Sequence, residues 1–150
     1  MKIEIRTLTL VLVLIALCPP AVAGERDLVT ALVPADITGA RINLNPWGPH
    51  LGFESEVEGE DPRLAALVSA IRNAEPAQGH KCSNRGAIRF LMSGGGVIAV
   101  GFLPSHSEGY YEFRLYDGDR LERVYRVQRA PLLTALADLG VPVDDPAFTD

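Results

Sequence analysis

The sequence has little cysteine. Its two cysteines are Cys18 and Cys82, and Cys18 lies inside the apolar segment near the N-terminus. A domain that begins after that segment holds one thiol, which excludes an internal disulfide framework and leaves the hydrophobic core to stabilise the fold. In an oxidising compartment the remaining thiol of Cys82 would be buried, paired with another chain, or reactive.

Basic residues are also scarce, and they are scattered. The chain has 14 Lys and Arg against 19 Asp and Glu, a formal net charge of −5, and Lys81 is the only lysine after Lys2. Nucleic acids and anionic membrane surfaces both favour clustered basic side chains. We therefore expect no nucleic-acid partner.

Apolar runs long enough to span a bilayer are missing, but a shorter one lies near the start. Lys2 and Arg6 precede an apolar run over residues 8–17, and Ala21-Val22-Ala23 follows with small residues at the spacing that signal peptidase requires. The run has about half the ~20 residues of a transmembrane helix. The pattern predicts a signal peptide over residues 1–23, cleavage after Ala23, no membrane span thereafter, and a periplasmic or secreted protein.

The remaining residues form one predicted domain. Residues 24–36 are expected to be a lead-in, residues 37–141 the α+β domain, and residues 142–150 a C-terminal tail. Alternating apolar positions predict a strand over 37–44, a short returning piece over 51–57, and two hairpins whose turns lie at 93–96 and 117–120.

Two helices are predicted between and after these strands. Asp61 can cap the first, Pro62 suits its first turn, and Leu64, Leu67 and Val68 begin an apolar stripe that ends before Pro76. The second starts near Pro131 and stops at Gly140. The expected fold is α+β, an antiparallel meander of four to six strands with two helices packed on one face, in two layers.

The other face of this sheet is the predicted binding surface, together with two loop residues. Tyrosine and arginine are enriched at the energetic centres of protein interfaces, and Trp47 lies in a stiff loop that could present an aromatic anchor. The predicted binding residues are Trp47, His106, Tyr110, Glu112, Arg114, Tyr116, Arg123 and Tyr125. An ordinary solvated face with cross-strand pairs is the alternative interpretation.

A second hypothesis concerns metals and thiol chemistry. His80, Cys82 and His106 are ligand types that suit zinc or copper, and Glu108 or His50 could complete the set. The same thiol could act as a nucleophile with His106 or His80 as its base. The alternative is that the histidines are exposed loop residues and Cys82 is a small apolar side chain at the sheet edge.

Residues 61–141 resemble a recurrent type of small exported bacterial domain of unknown function. The resemblance lies in the following features, in chain order: the Asp-Pro-Arg helix start, His80-Lys81-Cys82, the strand from Gly86 to Met92, Leu103-Pro104-Ser105-His106, Tyr111-Glu112-Phe113-Arg114, Tyr125-Arg126-Val127 and the closing leucine-rich helix. It implies an exported α+β module and no particular activity, with His80, Cys82, His106 and Arg114 as the first positions to test.

The sequence thus favours a non-catalytic binding module whose partner is a protein or a cell-envelope component. The alternative is an exported metal-binding or thiol-redox protein that uses His80, Cys82 and His106. A hydrolase would need a pocket that holds a nucleophile beside a base.

Overall fold

The computed structural model describes residues 27–44, 52–79, 81–104 and 108–143. The predicted signal peptide, Trp47 and all three histidines lie outside these ranges, as do residues 144–150 of the predicted tail. The described residues form an antiparallel sheet of seven strands with three helices, a mixed α+β fold.

The elements follow one another in chain order with short connections. They are α1 (Leu28–Ala31), a single 3-10 turn (Pro34–Asp36), β1 (Ile37–Leu44), β2 (Phe53–Glu58), α2 (Pro62–Arg72), β3 (Glu75–Pro76), β4 (Gly86–Met92), β5 (Val97–Phe102), β6 (Tyr110–Asp117), β7 (Arg120–Gln128) and α3 (Arg129–Asp138).

The order of strands across the sheet is β2-β1-β4-β5-β6-β7-β3, and every pair is antiparallel. The meander from β4 to β7 and both of its hairpins are confirmed. The predicted count of four to six strands was too low, because the two-residue strand β3 pairs with β7 at the far edge. A two-residue strand carries no alternation by which a sequence could reveal it.

Helix α2 begins as its sequence predicts. Asp61 is the N-cap and its Oδ1 accepts a hydrogen bond of 2.9 Å from the Arg63 N–H, while Pro62 occupies the first turn. The helix ends at Arg72, before Pro76. Helix α3 begins at Arg129, two residues earlier than the predicted start at Pro131, and the backbone takes a positive φ of 84° at Gly140 after it ends.

The core lies between the helices and one face of the sheet. Fully buried side chains from α2 and α3, such as Leu67, Ile71 and Leu132, join Phe90 and Phe113 of the sheet in one apolar cluster. Burying a side chain of this size contributes about 1.5–3 kcal/mol. The prediction of two helices was one short, because the predicted lead-in contains α1, which places Leu28 and Val29 in the same cluster. Within the described ranges, no helix is both long and apolar enough to cross a membrane.

Candidate interaction face

The sheet face opposite the helices, called the outer face here, is crossed by the connection between β3 and β4. Since β3 lies at the sheet edge beyond β7 and β4 lies in the middle, this connection must pass β7, β6 and β5. We call it the covering segment (residues 77–85, of which residue 80 is not described). It begins with the Ala77 N–H donating to the Val124 carbonyl and ends with the Arg85 N–H donating to the Phe102 carbonyl.

Contacts within the segment show which face it covers. A Cβ placed on Gly79 would lie 3.5 Å from Cγ2 of Val124, and a Cβ on Gly101 would lie 2.4 Å from Nδ2 of Asn84. Arg114 pairs in register with Gly101 on one side and with Val124 on the other, so all three residues lie on the outer face. The segment therefore lies over a row of outer-face positions, and Val124 is buried for this reason.

Asn84 links two of the predicted binding residues. Its Nδ2 donates to the Tyr116 hydroxyl at 3.2 Å, and Nη1 of Arg114 donates to its Oδ1 at 3.2 Å. Both predicted residues are half-buried. The bare backbone of Gly101 gives the asparagine amide the space in which it makes these two bonds.

A second group of polar side chains lies further along the same face. Arg126 stands opposite Glu112 in the register of β6 and β7, and its Nη2 is 2.9 Å from Oε2 of Glu75 on β3. Its guanidinium carbon is 5.0 Å from the ring centroid of Tyr110, within cation–π range. The hydrogen bond to Glu75, followed by its charge, raises the pKa of Arg126, and the negative charge of Glu112 acts in the same direction.

Glu112 is the one buried charged residue in the described part of the chain. A buried carboxylate is costly unless a cation or hydrogen-bond donor compensates it. Arg126 lies directly across the strand pair and supplies a positive charge. Glu112 therefore acts on Arg126 through its charge, and its buried side chain leaves little surface for contact with a partner.

Four of the predicted binding residues lie on the outer face as expected, and two do not. Tyr110, Glu112, Arg114 and Tyr116 share that face, but Tyr125 pairs with Phe113 on the core face and stacks on its ring at 5.7 Å between centroids. The register also places Arg123 opposite the core residue Leu115, although Arg123 itself is exposed. The prediction that Arg123 and Tyr125 share the face of Tyr110 was wrong.

The cause of this error is a β-bulge. Tyr116 pairs with Leu121, whereas the preceding residue Leu115 pairs with Arg123, so Glu122 is an extra residue in β7. One inserted residue inverts the alternation of every later side chain in the strand. Simple alternation counted from the turn would place Arg126 on the core face. The bulge instead brings it to the outer face, beside Tyr110.

Tyr125 has a structural role on the core side. Its hydroxyl donates to Oδ1 of Asp27 at 3.0 Å, and the same oxygen caps α1 by accepting from the Val29 N–H. Burial, and then the hydrogen bond to Asp27, raises the pKa of Tyr125 to about 12. This contact ties α1 to the sheet.

This raised pKa gives a test by pH. Because the folded state favours the neutral phenol, its stabilising contribution is complete below the ordinary tyrosine pKa of 10.0 and is lost as the pH rises from there through about 12. We expect the free energy of unfolding in urea to fall between about pH 10 and pH 11. Tyr125→Phe should fall less steeply over that interval, because the raised pKa of Tyr111 is then the main tyrosine contribution left. If the free energy of unfolding falls equally steeply with pH in both proteins, the raised pKa does not belong to Tyr125.

Of the proposed metal ligands, the structure describes Cys82 and the alternative ligand Glu108. Cys82 lies half-buried in the covering segment and forms no disulfide within the described residues, while His80, His106 and the alternative ligand His50 fall outside them. The described residues contain no group of three or more His, Cys, Asp or Glu side chains that could hold a metal ion. The zinc or copper site therefore stays a prediction, and so does the anchor role of Trp47.

Asn84, Glu75 and Arg126 were missed by the reasoning from sequence. The role of Asn84 depends on a crossover of the covering segment, and that of Glu75 on a two-residue edge strand. Neither leaves a local pattern. The signal for Arg126 was the bulge, which is visible only once the register of β6 and β7 is known.

The chain was compared with protein-family models, with curated proteins and with solved structures, and none of these comparisons gave a match.

Proposed function

We propose that the protein is an exported, non-catalytic binding module that recognises a protein partner through the outer face of its sheet. The working surface is the outer-face patch, defined as Tyr110, Arg114, Tyr116, Leu121 and Arg126. The observation that carries the proposal is the bridge from Arg114 through Asn84 to Tyr116, since it holds two side chains of interface type in fixed positions.

Fixed side chains matter because binding otherwise costs the entropy of ordering them. Immobilising one flexible side chain at an interface costs about 0.5–1.5 kcal/mol. Asn84 restrains Arg114 and Tyr116 before a partner arrives, and the Tyr110 ring with Glu75 does the same for Arg126.

Leu121 adds an apolar contact to this patch. It pairs with Tyr116 on the outer face and is 50% exposed, which makes it one of two exposed large apolar side chains in the described residues. Tyrosine rings and an oriented guanidinium are side chains enriched at the centre of a protein interface, and the exposed leucine adds apolar area beside them.

Site-specific photo-crosslinking tests the proposal. A photoreactive amino acid at Leu121 should give a discrete adduct in envelope extract, and excess untagged protein should compete it away. The matched control is the same group at Ser69, which is exposed on α2 on the opposite side of the domain. Adducts of equal yield from Ser69, or none from Leu121, would overturn the proposal.

A charge reversal strengthens this test. Arg114→Glu should reduce the yield of the Leu121 adduct about tenfold. It places a negative charge on the surface that contacts the partner, and it breaks the hydrogen bond to Asn84. Arg72→Glu is the control of equal charge change, at an exposed position at the end of α2, and should leave the yield unchanged. Circular dichroism of each variant separates a binding defect from unfolding.

A further inference from the structure

The strand β2 forms one edge of the sheet, and its second side pairs with no strand among the described residues. The opposite edge is only the two-residue strand β3. A strand at an edge exposes backbone N–H and C=O groups that can pair with another chain. β2 has six residues, Phe53–Glu58, which is enough for a partner strand to pair along it.

The register of β1 and β2 shows which backbone groups point outward. The Gly59 N–H donates to the Thr38 carbonyl at 3.1 Å, so that pair is hydrogen-bonded, and bonded pairs recur at every second position. The backbones of Phe53, Ser55 and Val57 therefore face β1. Those of Glu54, Glu56 and Glu58 face away from it.

The same three glutamates place their side chains on the outer face. Glu54, Glu56 and Glu58 pair with Asn43, Arg41 and Gly39, which alternate with buried residues of β1, and all three glutamates are exposed. Oε1 of Glu54 accepts from Nδ2 of Asn43 at 2.7 Å, and Oε1 of Glu56 is 2.9 Å from Nε of Arg41. A row of like charges opposes pairing of this edge with a second copy of itself.

On the helix side the edge is bordered by a groove of about 620 Å³. Its lining is mixed: Val57, Pro62 and Leu139 are apolar, and the polar and charged members are Ser55, Glu56, Glu58, Glu60, Asp61 and Arg63. Side chains that alternate with the outer-face positions of an added strand would enter this groove. The positions nearest the strand favour apolar side chains, because those would lie beside the partly buried Phe53 and Val57.

We infer that the open edge of β2 binds an extended segment of a partner protein that carries lysine or arginine at alternate positions with apolar residues between them. The backbone pairing supplies general affinity, the glutamate row selects basic residues on one face, and Phe53 and Val57 favour apolar residues on the other. This surface lies at the other end of the strand order from the outer-face patch.

Synthetic peptides test this inference on the purified protein. A capped Lys-Val-Lys-Val-Lys-Val peptide should bind and should slow hydrogen exchange at the amides of Glu54 and Glu56. A block peptide of the same composition, Lys-Lys-Lys-Val-Val-Val, and a Glu-Val-Glu-Val-Glu-Val peptide should bind about tenfold more weakly or not at all. Amides of Glu54 and Glu56 that exchange slowly before any peptide is added would show that the chain itself occupies the edge, and would overturn the inference.

Two variants separate the backbone contribution from the charge contribution. Glu56→Pro removes an outward N–H together with the Glu56 charge while leaving the bonds to β1 in place, so its control is Glu56→Gln, which removes the charge alone. The proline variant should bind the alternating peptide about tenfold more weakly than the glutamine variant. The double variant Glu54→Lys with Glu58→Lys keeps the Arg41–Glu56 pair and should reverse the preference toward the Glu-Val peptide. If the double variant folds and still prefers the Lys-Val peptide, the inference is wrong. Arg114→Glu should not alter peptide binding. A negative peptide result would therefore leave the outer-face proposal intact, and a negative crosslinking result at Leu121 would leave this inference intact.

Discussion

Replacing Gly59 with alanine is expected to lower the free energy of unfolding by about 3 kcal/mol. Gly59 follows β2 at the turn into α2, where its backbone runs against β1. A Cβ at this position would lie 2.2 Å from the Ile37 carbonyl oxygen and within 3 Å of the Thr38 backbone. All of these atoms belong to main chain, so no side chain can rotate away, and the end of β1 or the turn must move. Urea denaturation followed by circular dichroism measures the loss.

Gly94 offers a matched control for this substitution. It lies in the turn between β4 and β5, and a Cβ there would meet no heavy atom within 4 Å. Gly94→Ala should therefore change the stability by less than about 0.5 kcal/mol. Comparable losses for both variants would mean that glycine flexibility, rather than the close approach of β1 and Gly59, determines the effect.

The Gly59 contact also bears on the edge that we infer to bind a peptide. Displacement of the turn would alter the spacing of β1 and β2, and the outward amides of β2 would lose their regular positions. Gly59→Ala should consequently weaken binding of the alternating peptide even at temperatures where the domain stays folded.

The sequence shows the row of three alternating glutamates, but it does not show that this row lies at a sheet edge.

Local patterns explain why the meander could be predicted and its ends could not. The apolar alternation of β4 to β7, their glycine-rich or Asp-Gly turns, and the Asp61-Pro62 helix start are each properties of neighbouring residues. The place of β3 beyond β7, and the pairing of β1 with β4 that leaves β2 at the other edge, depend on how a helix and a long connection cross the sheet. Such crossings are set by packing over the whole domain.

The predicted binding face also combines a part that local alternation predicts and a part that it cannot predict. Alternation within β6 correctly placed Tyr110, Glu112, Arg114 and Tyr116 together. The bulge at Glu122 then exchanged Tyr125 for Arg126 on that face, because one extra residue reverses the order of inward and outward side chains. Coverage by residues 77–85 could not be foreseen, since it depends on the distant edge at which β3 ends.

Replacing Gly101 with alanine is expected to lower the free energy of unfolding by about 2 kcal/mol, because it displaces Asn84 of the covering segment. The new methyl would lie 2.4 Å from Nδ2 and 2.8 Å from Cγ of Asn84. The amide must then leave its place and give up its bonds to Tyr116 and Arg114. Each such bond contributes about 0.5–1.5 kcal/mol, and more when a charged group takes part.

A double-mutant cycle distinguishes this mechanism from a general intolerance of alanine in β5. Asn84→Ala alone should cost about 1–2 kcal/mol through the same two bonds. In that background Gly101→Ala should cost less than about 0.5 kcal/mol, because the clashing amide is gone and alanine suits a strand better than glycine. Additive losses would show that the methyl meets other atoms, and that Asn84 is not what requires glycine at this position. Strong coupling, with a matching drop in the Leu121 adduct for each single variant, would mean that Asn84 acts both in folding and in holding Arg114 and Tyr116 ready for a partner.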